Sequence, residues 1–264
     1  MIQVKKLIVG NWKMHLDVHE ASLYVYKLAE LIPHHRDVEI VLAPTLLALQ
    51  SLSLQIDRRQ FKLAAQNFYW RDEGAYTGEV SAAQLRGMID YAIVGHSERR
   101  HIFHESERDI RSKVQAALRS HIRPILCIGE TAGEKADGET RDVLHDQLVS
   151  GLANIVSEEL PEVTIAYEPV WALSNGLDFD KHPTPTPQDA SSVAAFIRDQ
   201  LGHLFGKAAA GKVRVLYGGS ANSHNAGSFL HAEGIDGLLV GGASLDSQAF
   251  STIVAAAHNE KAKK

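Results

Sequence analysis

Histidine, serine, glutamate and two arginines stand side by side at residues 96–100, directly after the apolar run Tyr91-Ala92-Ile93-Val94 and a break at Gly95. An imidazole and a carboxylate in so short a polar cluster can move protons near neutral pH. A plain surface turn would use the same residue types, so the cluster needs partners elsewhere in the chain. Other apolar runs supply them. "LIVGNW" leads into Asn11 and Lys13, an amide and a cation, and "VTIAYEP" ends on Glu168, a carboxylate braced by Pro169. "VRVLYGGS" and "DGLLVGG" end on glycine pairs, Gly218-Gly219 before Ser220 and Gly241-Gly242 before Ala243-Ser244. Such turns bare backbone N–H groups, which together with a lysine can cradle a phosphate. These are the groups of acid–base chemistry on a small anion, provided one fold brings them to one place.

Eight short, β-branched apolar runs recur along the chain, at 7–12, 38–44, 62–67, 91–96, 123–130, 163–169, 213–220 and 236–242. Segments with helical periodicity lie between them. Residues 16–32 carry Leu23, Tyr24, the Lys27 stem, Leu28 and Leu31; residues 106–119 carry Ile110, Val114, Ala117 and Leu118. Val143, Leu144, Leu148, Leu152 and Ile155 mark 141–156, and Val193, Phe196, Ile197, Leu201 and Leu204 mark 188–204. A last helix starts after Asp246, a good N-cap. Strands buried on both faces and alternating with helices predict a parallel sheet. Eight such units without a linker predict an α/β chain folded as a single-domain (β/α)₈ barrel over residues 1–264, eight parallel strands inside eight helices. An open doubly wound sheet is the competitor, but "VGNWKMH" lacks its glycine fingerprint. In a barrel the polar strand ends converge on one mouth, so the cluster at 96–100 is half of a site whose other half is distant in sequence.

Composition narrows the function further. A chain of 264 residues, 45% hydrophobic and 22% charged with a formal charge of −5, gives no whole-chain reason to expect nucleic acid or an anionic membrane as partner. The single cysteine, Cys127, excludes an internal disulfide and a multi-cysteine metal site. No apolar leader and no run of about 18 apolar residues is seen, which predicts a cytoplasmic protein. The 14 histidines are scattered; His34-His35 and His101-x-x-His104 are the closest sets, and neither has a third ligand at metal-binding spacing. No metal is expected.

The segments "GNWKMH", "VGHSERR", "CIGE", "AYEPVWA", "YGGS" and "GLLVGGASL", in this order and spacing from about residue 7 to about residue 250, resemble the triosephosphate isomerase family. Each alone could be chance; six in register are highly specific. The resemblance implies interconversion of dihydroxyacetone phosphate and glyceraldehyde 3-phosphate, without cofactor or metal. It marks Asn11, Lys13, His96 and Glu168 as catalytic, with Ser220, Gly241 and Gly242 at the phosphate. Glu168 would take a proton from the carbon next to the carbonyl, which a carboxylate does best in dry surroundings. Leu173 and Leu239 could form that dry clamp. Ser97 and Glu98 begin a helical turn whose N–H groups point at the His96 ring, leaving it a neutral donor to the enediolate, a pairing with a glutamate base already well described for this family. Lys13 would supply positive charge to phosphate and enediolate alike. In supporting roles, Ser97 would hold Glu168 at rest and Glu98 would pair with Lys13. Tyr217 and Ser220 would latch a closed loop, and Glu130 would bond the indole N–H of Trp171 at the loop's hinge. Cys127 reads as a small packed residue.

One region departs from the family. Where Ile-Gly-Thr-Gly-Lys usually follows "PVWA", this chain has "LSNGLDFDKHPTPTPQDA" at 173–190, about six residues longer, with Ser174 in place of the first loop glycine. The expectation is a lid over about 169–187 with its N-terminal hinge kept at Pro169, Val170 and Trp171. Asn175-Gly176 forms its tip, Ser174 and Gly176 present N–H groups to phosphate, and Pro183, Pro185 and Pro187 stiffen the return. The altered loop motivates an alternative, an isomerase of a longer ketose phosphate such as a tetrulose phosphate; a barrel kept without catalysis is another. Finally, the connection 67–80 carries Phe68, Tyr69, Trp70 and Tyr76, too much apolar surface for a solvated loop. It predicts a homodimer, and the resemblance places Thr77 beside Asn11 and Lys13 of a partner.

Overall fold

The computed structural model describes residues 5–33, 37–173 and 184–258. Eight parallel strands close a barrel in chain order. They are β1 (Lys6–Asn11), β2 (Val38–Ala43), β3 (Lys62–Ala65), β4 (Tyr91–Val94), β5 (Arg123–Ile128), β6 (Thr164–Tyr167), β7 (Arg214–Tyr217) and β8 (Gly237–Val240). β8 returns to β1 with Leu7 against Gly237 and Gly10 against Val240. At that seam the β-carbon of any residue but glycine at 237 would lie 1.8 Å from the Leu7 carbonyl oxygen. All eight expected strands are present. Their inward side chains, among them Leu7, Val9, Val41, Ile93, Ile125, Leu216 and Leu239, fill the barrel. Outward ones such as Ile8, Ile40, Leu42, Leu126, Ile165 and Val240 pack under the helices. Burial on both faces is why these strands read as continuous apolar runs.

The surrounding helices are α1 (Val18–Leu31), α2 (Leu46–Gln55), α3 (Ala82–Leu85), α4 (Ser97–His101), α5 (Glu107–Arg119), α6 (Ala132–Ala136), α7 (Thr140–Gly151), α8 (Pro187–Phe205), α9 (Lys207–Ala210), α10 (Ala226–Leu230) and α11 (Ser247–Ala257). Side-chain caps fix several starts. Asp17 with Glu20, Ser106 with Asp109 and Thr186 with Asp189 form capping boxes, and Asp246 accepts from the Ala249 N–H as expected. Among the described residues no helix is long and apolar enough to cross a membrane.

Some expectations need correction. α1 buries Ala21, Tyr24, Val25 and Leu28, whereas Leu23 and Leu31 lie on its exposed side. α7 stops at Gly151, so Leu152 and Ile155 are buried in the turn that follows rather than on the helix. Of the four aromatics in 67–80, Phe68 is buried in its own barrel and Trp70 packs against the core. Only Tyr76 is exposed, with its ring 4.6 Å from Tyr69. Elsewhere Met14, Leu47, Ile102 and Phe103 are apolar side chains 91%, 83%, 63% and 64% exposed.

The amino end of the barrel, opposite the candidate site, is closed by a charged plug. The Tyr91 hydroxyl accepts from Arg214 at 2.6 Å and from Arg123 at 3.0 Å, and Arg214 also pairs with Glu39 at 2.6 Å. Burial alone would raise the Glu39 carboxyl, but the Arg214 guanidinium, with help from Tyr91 and Arg123, outweighs it and holds the group below its usual 4.5. A lowered folded value means stability that is fully present above the unfolded value and is lost as pH falls through the folded one. Glu39→Gln is therefore expected to cost about 2–4 kcal/mol at pH 7, by leaving Arg214 unpaired. The difference in urea unfolding between the two proteins should shrink as pH falls through the lowered folded value of Glu39, where its carboxyl takes up a proton. A gap unchanged from pH 7 to pH 3.5 would show that the charge is not what matters.

Candidate active site

The mouth at the carboxyl ends of the strands holds a cavity of about 420 Å³, and Asn11, Lys13, His96, Glu168, Ser220 and Gly241 all line it. Each is delivered by a strand end. After β4, Gly95 turns with φ +70°, and His96 becomes the N-cap of α4. Its Nδ1 accepts the Glu98 N–H at 3.2 Å, so the ring proton sits on Nε2. That nitrogen faces Glu168 Oε1 at 3.1 Å. Glu168 Oε2 accepts the backbone N–H of Ser97 at 3.1 Å. The expected hold of Ser97 on Glu168 is thus made by its main chain; the Ser97 hydroxyl has no partner among the described residues.

Two glycines make room for Glu168, which is only 2% exposed. A β-carbon at Gly129 would fall 1.7 Å from the Glu168 carbonyl oxygen, and one at Gly218 would fall 2.8 Å from Glu168 Cγ. The carboxylate therefore lies between the ends of β5 and β7, in a wall that tolerates no side chain at either place. Leu239 of the barrel interior and Leu173 line the same cavity and give it the apolar side expected of them. Cys127 is wholly buried, and burial followed by the Glu168 charge pushes its thiol well up. It is an inert packed residue.

Lys13 stands at φ +53°, in the left-handed region that lysine seldom adopts. Three contacts hold it there. Its N–H donates to Asn11 Oδ1 at 3.2 Å, its carbonyl accepts from Gln66 Nε2 at 2.8 Å, and its Nζ meets Glu98 Oε1 at 2.6 Å. Trp12, fully buried edge-on to Tyr24, anchors the strand end just before it. The Lys13 stem then runs beside Gly241, where an added β-carbon would be 3.5 Å from Lys13 Cε. Gln66 was not singled out from the sequence, although its place at the end of "KLAAQ" was the available signal. Strain of this kind persists only where surrounding bonds over-determine it, and it clusters at functional sites.

Gly241 leads into a 3₁₀ turn, Gly242–Leu245, whose amino end opens on the cavity. Ser220 lines the same cavity, and its hydroxyl is buried. The Tyr217 hydroxyl is buried beside Ser220; burial pushes its ionisation upward against the hydrogen bonding of Ser220, and its ring stacks on Phe229 at 4.1 Å. Asn222, Ser223 and His224 also line this side of the cavity, and the sequence reading had passed over them. At the hinge, the Trp171 indole N–H donates to Glu130 Oε1 at 2.8 Å, and Tyr167 donates to the same oxygen at 3.1 Å. Thr77 sits in the exposed tip of its loop. Ser174, Gly176 and the rest of 174–183 lie outside the described residues, as do His34 and His35.

The site thus joins a carboxylate, an imidazole N–H and an ammonium around one cavity with a glycine-rich end. Comparison with known proteins agrees with that arrangement. Residues 6–257 match the profile of the family described as triosephosphate isomerase. The chain is 42% identical to a triosephosphate isomerase of Citrifermentans bemidjiense over 251 residues, 95% of this chain and 98% of that one. It is 40% identical to one of Chloroherpeton thalassium over 255 residues, 96% and 99% of the two chains. With Carboxydothermus hydrogenoformans the identity is 41% over 251 residues. By its barrel, its site and these relatives together, the chain belongs to the triosephosphate isomerase family.

Proposed function

We propose that this isomerase interconverts dihydroxyacetone phosphate and D-glyceraldehyde 3-phosphate with Glu168 as base and His96 as electrophile. The observation that carries the reading is the pair of buried groups, Glu168 Oε1 and His96 Nε2, 3.1 Å apart on the floor of a cavity walled by Lys13 and Gly241. Glu168 leaves its bond to the Ser97 N–H, takes a proton from the carbon beside the carbonyl, and returns it to the neighbouring carbon, while the hydroxyl proton on the first carbon's oxygen passes to the former carbonyl oxygen, a transfer for which His96 Nε2 is placed. His96 Nε2–H donates to the carbonyl oxygen as negative charge builds there, and Lys13 and Asn11 face the same charge. The phosphate lies at Ser220, Gly241 and Gly242, with Ser174 and Gly176 reaching it from a lid at about 169–187. The buried hydroxyls of Tyr217 and Ser220 are the groups a closed lid would bond. A coupled assay with glyceraldehyde 3-phosphate tests the reaction, run beside a tetrulose phosphate as comparison. Absence of triose phosphate turnover would overturn it.

The same reading makes the enzyme a cytoplasmic homodimer. Met14, Leu47, Tyr76, Ile102 and Phe103 are exposed, and loop 67–80 would dock through Tyr76 and Thr77 beside the partner's site. Sedimentation at micromolar concentration should give twice the mass of one chain. A fully active monomer would refute the dimer.

A further inference from the structure

Tyr24 shares the buried face of α1 with Ala21, Val25 and Leu28, three apolar side chains. A phenol placed there is costly unless its hydroxyl finds a partner. That partner is the backbone carbonyl of Ser244, to which the hydroxyl donates at 2.6 Å. Ser244 is fully buried in the 3₁₀ turn Gly242–Leu245, and its own hydroxyl and N–H donate to the Gly241 carbonyl at 2.7 and 2.8 Å. The turn that lines the cavity with Gly241 and Gly242 is thus tied through Ser244 to α1. The Tyr24 ring makes a second contact. It stands edge-on to Trp12 with centroids 4.8 Å apart, and Trp12 immediately precedes the left-handed backbone of Lys13. Gly10 of β1 completes the seat, since a β-carbon there would lie 3.1 Å from Ser244 Cβ. One side chain therefore touches both the strand end that carries Lys13 and the turn at Gly241. Burial first and the Asp246 charge next push the phenol's ionisation upward, so the hydroxyl remains a donor well past neutral pH. Packing alone would need only the ring, which phenylalanine supplies.

We propose that Tyr24 is a positioning residue for the substrate phosphate: it holds the Gly241 turn in register with Lys13, so that the turn's N–H groups and the ammonium meet one dianion. The proposal rests on the phosphate placement given above. Loosening the turn weakens phosphate binding, whereas Glu168 and His96 keep their geometry through contacts of their own.

Tyr24→Phe keeps the ring and removes the hydroxyl. In the full chain it should weaken equilibrium binding of glycerol 3-phosphate and raise KM for glyceraldehyde 3-phosphate about 3- to 10-fold, the reach of one lost hydrogen bond, with kcat changed less than about twofold. The loss should shrink in the Lys13→Met background, where the turn has no ammonium to meet. Urea unfolding reads any loss of stability separately. Unchanged affinity and KM overturn the proposal whether or not stability falls, and a fall confined to kcat does the same. Equal losses in both backgrounds overturn the link to Lys13. Whether phosphate meets the turn at all is read from protein isotope-labelled in glycine. The Gly242 amide is assigned there through Gly242→Ala, whose β-carbon would meet nothing within 4 Å. If glycerol 3-phosphate leaves that resonance unmoved in the unaltered protein, the phosphate placement falls and this role of Tyr24 falls with it. If the resonance moves and Tyr24→Phe still binds as tightly, Tyr24 alone is overturned.

Discussion

Glu168→Gln is expected to lower kcat by about 10²- to 10⁴-fold, the usual worth of a general base, while leaving the affinity for a non-reacting phosphate such as glycerol 3-phosphate nearly unchanged. The reason for the split is geometric. Glu168 touches His96 and Ser97, whereas Ser220, Gly241 and Gly242 line the cavity without a hydrogen bond to its carboxylate among the described residues. A modest loss of stability should accompany it. The carboxylate accepts from both the Ser97 N–H and the His96 Nε2–H, and a glutamine has only one acceptor oxygen. His96 cannot relieve the clash by moving its proton, because Nδ1 already accepts the Glu98 N–H. One buried donor is left facing another, at a cost of about 1–3 kcal/mol. Measured kcat near that of the unaltered protein would remove Glu168 from the role of base.

The barrel was readable because its physics is repetitive. A strand buried on both faces must be apolar throughout, so all eight announced themselves. α2 did not. Leucines stand at 46, 47, 49, 52 and 54, all round the helix, and Leu47 and Leu54 face outward, so no apolar stripe marks its period. The reverse happened after α7, where the helical period of apolar residues runs on through Leu152 and Ile155 although the helix has ended. In loop 67–80 aromatic content was a poor guide to exposure, since Phe68 turns back into the barrel. For the site, side-chain chemistry at strand ends identified Lys13, His96 and Glu168, but main-chain contributions stayed hidden. The Ser97 N–H that holds Glu168, the left-handed backbone of Lys13 and the Gln66 amide that pins it all depend on approach geometry, which residue type does not encode. Glycine was the exception. Gly129 and Gly218 each sit where a β-carbon would collide with Glu168, and the runs "CIGE" and "YGGS" record that constraint in plain sequence.

Lys13→Met should be as damaging as loss of the base, but in a different pattern. Nζ sits 2.6 Å from Glu98 Oε1, with both side chains about a third exposed or less, so the lysine that lines the cavity is already paired with a carboxylate. Removing the ammonium leaves the Glu98 carboxylate beside a substrate that bears a phosphate dianion and develops further negative charge. One unit charge at about 4 Å is worth roughly 4 kcal/mol at the effective dielectric of such a site. The variant should therefore lose about 10²- to 10³-fold in kcat/KM, spread over both turnover and phosphate affinity because substrate and transition state are both anions. Part of that loss is expected from the uncovered Glu98 carboxylate as well as from the missing cation. Glu98→Gln in the Lys13→Met background should then recover about tenfold of the phosphate affinity while kcat stays low, since neutralising Glu98 removes repulsion but supplies no cation to the enediolate. Equilibrium binding of glycerol 3-phosphate to the single and double variants decides the matter. A double variant that binds no better than Lys13→Met would mean that Glu98 is turned away from the phosphate, and that Lys13 acts on the substrate alone.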